Sequence, residues 1–462
     1  MIQLAPDLSN LTAYFKTLVA EHNVVGASLA VLDNEIVHTA AAGSLNLETQ
    51  VDVTTDSLFQ IGSISKVFTA TLIMQLVDEG KVRLDEPVKT YLPDFHVADS
   101  DATVSITIRQ LLCHTSGMEG DFFPEDDPEG PSASSYLTKC HLLPQLHPPG
   151  DYFSYSNSAF VVLGRVIEIV EGITWAKAIS LRLLKPLGMD HSIVEPHESL
   201  RFRMAMGHVP DLDNDGKPML ANRCYLVLST GPAGAVLSMS ATDLLKFARM
   251  HLESGIPSAG ERVLSVDSVE AMQASQIRLS SLSWQGITDW GLGWFLKNDA
   301  NYSFVGHDGA TRGQFAYLRL FPEYNKAIAL LTNSDSRSFM QDIEKDICRV
   351  LELGRVENSV DVCNEQSTAD IEPGLYTGTY RNLDGVSHVT ANSKRFKRVF
   401  HSARTQVLDQ EEYLTPVSPG RFTCSGGGDA VFVGHSKGQP AQYMYSGFRL
   451  MRRITSKDIS KK

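Results

Sequence analysis

The sequence predicts an α/β (α+β) fold: an antiparallel sheet flanked by helices, with an inserted helical subdomain, followed by a small antiparallel β-barrel. Three observations predict it. Strand-like runs stand near both ends of residues 1–353, a helical pattern with long loops fills roughly residues 84–200 between them, and the composition changes sharply near residue 371. In the first part, GASLAVLDNEIVHTAAA (residues 26–42) alternates apolar and small residues around Asp33 and Asn34, the pattern of a β-hairpin. Strand-like runs return at residues 301–305, 314–321 and 327–333. Sheet residues on both sides of a helical stretch define one domain with an insertion rather than serial domains. The insertion contains an acidic, aromatic, proline-bearing segment from Glu119 to Glu129.

Residues 354–372 are polar and unpatterned, as a linker is. Beyond them the charge reverses: residues 371–462 carry fourteen Lys and Arg against seven Asp and Glu, in a chain of formal net charge −13. Short segments at residues 374–380, 430–434 and 443–451, separated by Gly, Ser and Asp turns, predict a small barrel over residues 373–462. Its basic cluster, Lys394, Arg395, Lys397 and Arg398, reads as a solvated loop or a surface docked on the acidic first domain.

The net negative charge argues against nucleic acid or an anionic membrane as the main partner, since either needs a basic face. No run approaches the roughly 18 apolar residues of a membrane helix. The start, MIQLAPDLSNLTAYFK, lacks a basic segment followed by an apolar one, so the expected location is cytoplasmic. Small or neutral substrates fit better, and the oligomeric state is left open. Six cysteines and fourteen histidines show neither disulfide nor metal-ligand spacing, so no metal or cofactor is expected. Asp211, Asp213, Asp215 and Gly216 imitate the start of a calcium loop, but its twelfth position is Asn222, and a polar turn is the better reading. Gly231, Pro232, Ala233 and Gly234 lack the Lys and Ser/Thr of a phosphate loop and suit a close backbone passage.

The chemistry points to Ser63. Ser63, Ile64, Ser65 and Lys66 form the chain's single Ser-x-x-Lys, between a β-like stretch (residues 57–61) and an apolar helical run (residues 67–77) that stops at Gly80. A serine hydroxyl needs a proton acceptor within hydrogen-bond reach. Residues three apart share a helix face, so Lys66 can serve. Two further elements follow. Tyr155, Ser156 and Asn157 come after the Pro148-Pro149-Gly150 turn, and Gly306, His307, Asp308 and Gly309 lie on a strand. A phenol relays a proton, an amide fixes a carbonyl, and a glycine-flanked edge strand lets a substrate backbone pair closely.

In this order the three elements resemble the signature of the serine β-lactamase and penicillin-binding-protein superfamily: Ser-x-x-Lys, Tyr-x-Asn, then Lys or His followed by x-Gly. FQIGSISKVFTATLIMQLVDEGKVRLDEPV, IRQLLCHTSGM, YSNSAFVVLGRVIE, WAKAISLRLLKPLGM and GHDGATRGQFAYL look like its class C and esterase branch, over most of residues 10–350. The resemblance implies a β-lactamase/transpeptidase-like catalytic domain over residues 1–353. Ser63 would form an acyl-enzyme, with Lys66 and Tyr155 as a coupled acid/base pair and Asn157 orienting them. The backbone N–H groups of Ser63 and Ala310, beside Gly309, would form the oxyanion hole. His307 stands where many members have lysine, and a histidine supplies a fixed charge only when protonated, which argues against strong β-lactamase activity. Trp290, Trp294, Phe122 and Phe123 are candidates to line the cleft. Residues 373–462 more weakly resemble the lipocalin-like domain of some cytoplasmic members, among them D-amino-acid-specific peptidases and cyclising thioesterases. The resemblance implies a serine hydrolase or acyltransferase of esterase or D-peptidase type, acting on a small-molecule, ester, amide or peptide substrate, with an oligomer as an open possibility. A cyclase, a weak β-lactamase and a silent binding protein are the alternatives.

Overall fold

The computed structural model describes residues 8–124, 132–257, 260–279, 286–298, 302–335, 337–353, 371–392, 395–403, 409–436 and 438–455. Most of the expected linker, residues 354–370, lies outside them.

The N-terminal hairpin is β1 (Gly26–Asp33) and β2 (Ile36–Gly43), turned by Asn34 at φ 56°, a left-handed position that Asn tolerates. Six more strands complete an antiparallel sheet: β3 (Ile277–Arg278), β4 (Asp289–Trp290), β5 (Phe295–Asn298), β6 (Ser303–Ala310), β7 (Phe315–Phe321) and β8 (Lys326–Thr332). Their order is β2-β1-β8-β7-β6-β5-β4-β3, so the first and last parts of the domain meet at β1 and β8, with Ala30 opposite Ala329. The meeting is apolar on both faces. Leu29, Val31 and Leu330 pack on helices α1 (Leu11–Glu21) and α5 (Arg337–Val350) through Phe15, Phe339 and Ile343. Ala30, Leu32 and Ala329 face the opposite layer with α2 (Ser65–Asp78) and α4 (Ala241–Leu252), where Phe68 and Phe247 stack at 3.8 Å. A sheet covered on both faces explains why β1 is buried along nearly its whole length.

Helix α2 is the central helix: residues 65–76 are all buried, so it is covered all round rather than striped, and of its polar residues Lys66, Thr69, Thr71 and Gln75 bond inside the protein. Gly80, at φ 70°, ends it. The inserted region holds fewer long helices than its pattern suggests. Short helices Ser100–Ser105 and Ile108–Leu112 lead into loops, and the one long helix is α3 (Asn157–Glu171), capped by Ser156 Oγ accepting from the Ala159 N–H. Asp211 to Gly216 turn a short hairpin, Asp211 Oδ1 accepting from the Asp213 N–H.

The C-terminal part is a closed eight-stranded antiparallel barrel: β9 (Gly378–Asn382), β10 (Gly385–Asn392), β11 (Arg395–Ser402), β12 (Gln410–Ser418), β13 (Arg421–Cys424), β14 (Asp429–Val433), β15 (Tyr443–Ser446) and β16 (Arg449–Ile454). Pairing of β9 with β16 closes it. Tyr376, Tyr380, Phe396, Phe422, Phe432 and Met444 pack inside as a core. Two expectations are corrected here. Residues 443–451 are not one strand but the hairpin β15–β16, tipped by Gly447 and Phe448. Of the basic cluster, Lys394 lies outside the described residues and the rest is strand rather than loop: Arg395, Lys397 and Arg398 are on β11, where Lys397 and Arg398 pair across to Glu411 and Glu412 on β12 at 2.6 and 2.8 Å. Among the described residues, no helix is long and apolar enough to cross a membrane.

Candidate active site

Ser63 sits on a 3-10 turn, Gly62–Ile64, between the short strand Phe59–Gln60 and the first residue of α2. The turn passes hard against the end of β6. A Cβ on Gly62, at φ 52°, would lie 2.5 Å from the Ala310 nitrogen, and one on Gly309 would lie 1.9 Å from the Ile61 oxygen and 3.0 Å from the Ser63 nitrogen. Only glycine fits such an approach. It brings the backbone of Ser63 and that of Ala310 side by side at the half-buried serine.

Lys66 is fully buried, and its Nζ lies within hydrogen-bond reach of three oxygens: Ser63 Oγ at 3.1 Å, Asn157 Oδ1 at 2.6 Å and the Ala233 carbonyl at 2.6 Å. Burial holds its pKa well below the usual lysine value, the nearby Arg449 lowers it further, and Asp121 opposes them. A neutral amine has two N–H donors and one lone pair. In that form, with its two donors held by the short bonds to Asn157 and Ala233, the lysine presents its lone pair to the Ser63 hydroxyl. The glycine-bearing segment 231–234 thus delivers a carbonyl acceptor to the site.

The Tyr155 side chain hydrogen-bonds Ser63, and Lys66 Nζ lies 4.9 Å from its ring centre. Burial raises the phenol above its ordinary value, so it is protonated at neutral pH. His307 lies against Tyr155 with ring centres 6.2 Å apart, and its Nδ1 bonds the Asp308 carbonyl at 2.6 Å. Burial, with Lys66 second, pushes His307 down to about 3, so it is a neutral imidazole with no fixed charge to offer. Trp290 corrects its expectation: at 1 % exposure it does not line a cleft but packs edge-on behind Tyr155 and His307. Trp294 is a core residue against Phe247 and His251. His114, unforeseen apart from its place in IRQLLCHTSGM, backs the same phenol. It is held at φ 59°, its Nδ1 accepts from the Ser156 N–H at 3.0 Å, and its ring centre is 4.4 Å from that of Tyr155.

The barrel completes the site. Asn157 Nδ2 donates to Asp121 Oδ1 at 2.6 Å, which fixes the amide so that its oxygen faces Lys66. Asp121 is 4 % exposed and is paired by Arg449 on β16, Nε to Oδ2 at 2.7 Å. The Arg449 guanidinium also lies 4.7 Å from the Tyr155 ring centre, and the Tyr155 N–H donates to the Phe448 carbonyl at 2.9 Å. A chain of contacts therefore runs from Arg449 through Asp121, Asn157 and Lys66 to Ser63. Asp121 had one signal, its place in the acidic segment after Glu119. Arg449 had none, because a strand-like pattern says nothing of what lies 328 positions away.

The interface carries a titratable carboxyl as well. Glu119, 3 % exposed, accepts from the N–H groups of Gly120 and of Leu383 on the barrel at 3.1 Å each. Burial, the largest effect, raises it from 4.5 to about 7. Because the folded protein then holds a proton that the unfolded chain has released, stability falls as pH rises from 4.5 to about 7. The change corresponds to about 3 kcal/mol. Denaturant midpoints at pH 5 and pH 8 should show that fall in wild type and lose it in Glu119→Gln.

The fold and the Ser–Lys–Tyr–Asn cluster define the serine β-lactamase and penicillin-binding class. Residues 11–347 match the family model described as Beta-lactamase, and the chain belongs to that family. It is 40 % identical over 373 residues to Penicillin-binding protein 4 of Amycolatopsis lactamdurans, spanning 80 % of this chain and 97 % of that one. The crystal structure of SurE superimposes with a TM-score of 0.79 at 28 % identity, over 97 % of this chain and 99 % of the other, and SurE with D-Leu gives 0.73. A class C β-lactamase matches in fold, with a TM-score of 0.61 at 21 % identity over 74 % of this chain and 95 % of its own.

Proposed function

We propose that this chain is a serine hydrolase or acyltransferase of esterase or D-peptidase type, acting on esters, amides or peptides through a Ser63 acyl-enzyme. One observation carries the reading: a buried Lys66, its pKa held well below the usual lysine value, whose Nζ lies 3.1 Å from Ser63 Oγ and is fixed by shorter bonds to Asn157 and the Ala233 carbonyl. In acylation Ser63 Oγ attacks the substrate carbonyl while Lys66 takes its proton. The oxyanion meets the N–H groups of Ser63 and Ala310. Tyr155, protonated, gives its proton to the leaving group and is reprotonated through Lys66, the two titrating as a pair. Water then releases an acid, or an amine or alcohol takes the acyl group. Asn157, held by Asp121, keeps the lysine in place.

The full-length likeness to SurE, one of whose structures holds D-Leu, supports substrates with D-configured residues. Cyclisation, in which an internal amine takes the acyl group, is the second reading. The neutral His307 favours substrates other than β-lactams. The test is a panel of a p-nitrophenyl ester, D- and L-peptide anilides, an acyl thioester and a chromogenic cephalosporin, with Ser63→Ala as control. Turnover of an ester, anilide or thioester, lost in the variant together with an acyl adduct on the intact protein, is the expected result. Equal behaviour of the two proteins on every substrate would sink the reading.

A further inference from the structure

The short helix Ile108–Leu112 ends on a residue that its own geometry does not favour. Two bonds close the helix: the His114 N–H donates to the Leu111 carbonyl at 3.4 Å, and the Thr115 N–H donates to the Gln110 carbonyl at 2.9 Å. That pairing holds His114 in the left-handed conformation, at φ 59°, where glycine sits without strain and a residue with a Cβ does not. Glycine would end this helix better. The reason for a histidine therefore lies in what its side chain does, and that side chain is fully buried beside Tyr155.

His114 holds the chain on both sides of the phenol. Its carbonyl accepts from the Ser154 N–H at 2.8 Å and its Nδ1 accepts from the Ser156 N–H at 3.0 Å, so the residues before and after Tyr155 are tied to one histidine. The ring then closes on Tyr155 within a shell made by Trp290, Phe160 and Phe153, at 5.0, 5.2 and 5.8 Å between ring centres. A neutral imidazole that accepts at Nδ1 carries its hydrogen on Nε2, and among the described residues that buried atom has no hydrogen-bond partner. Leaving it unpaired is a cost that an apolar side chain would not carry. The acceptor at Nδ1 is what the cost retains. Burial first, then Lys66, His307 and Arg449, disfavour a proton there, with Asp121 opposing them, so Nδ1 stays open to the Ser156 N–H.

We propose that His114 is a positioning residue for acyl transfer: its Nδ1 and carbonyl set the backbone of residues 154–156, and so aim the Tyr155 phenol at Ser63. Being fully buried, it acts through Tyr155 and not on the substrate. It rests on the acyl-enzyme reading and adds to it a residue outside the three motifs. The experiment measures kcat and KM for a p-nitrophenyl ester and a peptide anilide in wild type, His114→Gly, His114→Asn, Tyr155→Phe and the double variant His114→Gly/Tyr155→Phe. Glycine suits the helix end, so the cap survives while the Nδ1 acceptor goes. Asparagine also tolerates the left-handed conformation and carries Oδ1 where histidine carries Nδ1. His114→Gly should lower kcat by about a hundredfold on the anilide and about fivefold on the ester, with KM moved by less than about threefold. His114→Asn should stay within about fivefold of wild type on both substrates. In the double variant the glycine should add less than about threefold to the loss from Tyr155→Phe, because both changes act on one phenol. A folded glycine variant with wild-type kcat overturns the proposal, and so does a loss that multiplies in full with that of Tyr155→Phe. Should the glycine variant not fold, the asparagine variant decides alone: a loss as large as that of Tyr155→Phe means that the acceptor is not what His114 supplies. Failure of the underlying reading looks different, since Ser63→Ala would then turn over both substrates as wild type does.

Discussion

Arg449→Ala should lower kcat/KM by on the order of a hundredfold and move the acidic limb of the pH profile to higher pH. The barrel supplies the charge that balances the buried carboxylate next to the catalytic amide. Removing it takes the Arg449 charge from Asp121, 4 % exposed, at a cost of about 3–5 kcal/mol. It also acts on Lys66. Arg449 helps hold that pKa down and Asp121 holds it up, so without the arginine the lysine pKa rises. The amine is then neutral only at higher pH, and activity that depends on the neutral amine is lost first on the acid side. The double variant Arg449→Ala/Asp121→Asn removes both charges and should bring the limb back towards its wild-type position. Arg449→Lys should restore only part of the rate, because a point charge replaces a two-nitrogen contact with Asp121. An unchanged rate and profile in Arg449→Ala would mean that the barrel merely leans on the catalytic domain.

What could be read in the sequence and what could not divides by distance along the chain. Ser63 and Lys66 are three apart at the start of an apolar helix, so one turn of local geometry brings them together. Hairpin β1–β2 and strands β7 and β8 announce themselves by alternation and by the Asp33-Asn34 turn. Asn157 was found as a motif, but its orientation depends on Asp121, which comes from a loop with no regular pattern. Tyr155 was found too, whereas the surroundings that bury it and keep it protonated come from His114, Trp290 and the Phe448 turn of another domain. That turn was hidden because the Gly447-Phe448 break is a single step in an otherwise strand-like stretch. Trp290 was misread for a related reason: the residue type fits both a cleft wall and a core, and only packing chooses between them.

Lys66→Met should lower acylation by about 10²–10⁴-fold on every substrate, whereas Tyr155→Phe should spare esters with good leaving groups. The two residues have different tasks on this geometry. On the proposed mechanism Lys66, 3.1 Å from Ser63 Oγ, takes the serine proton in the first step of acyl transfer. Tyr155 is raised by burial and so keeps its proton, which fits it to protonate a departing amine. A p-nitrophenolate leaves without that help; an amide nitrogen does not. The predicted pattern is therefore a loss by Lys66→Met that is alike for nitrophenyl ester and anilide, and a loss by Tyr155→Phe that is several-fold on the ester and far larger on the anilide. Methionine matches lysine in length, so the fold should survive, although the Asn157 and Ala233 oxygens lose a donor at about 1–3 kcal/mol each. Lys66→Arg should be as inactive as Lys66→Met despite restoring a donor, since a guanidinium stays protonated and cannot take the Ser63 proton. Equal losses on ester and anilide in Tyr155→Phe would instead make the phenol the partner of Lys66 in deprotonating Ser63, and the acid would have to be sought elsewhere in the site.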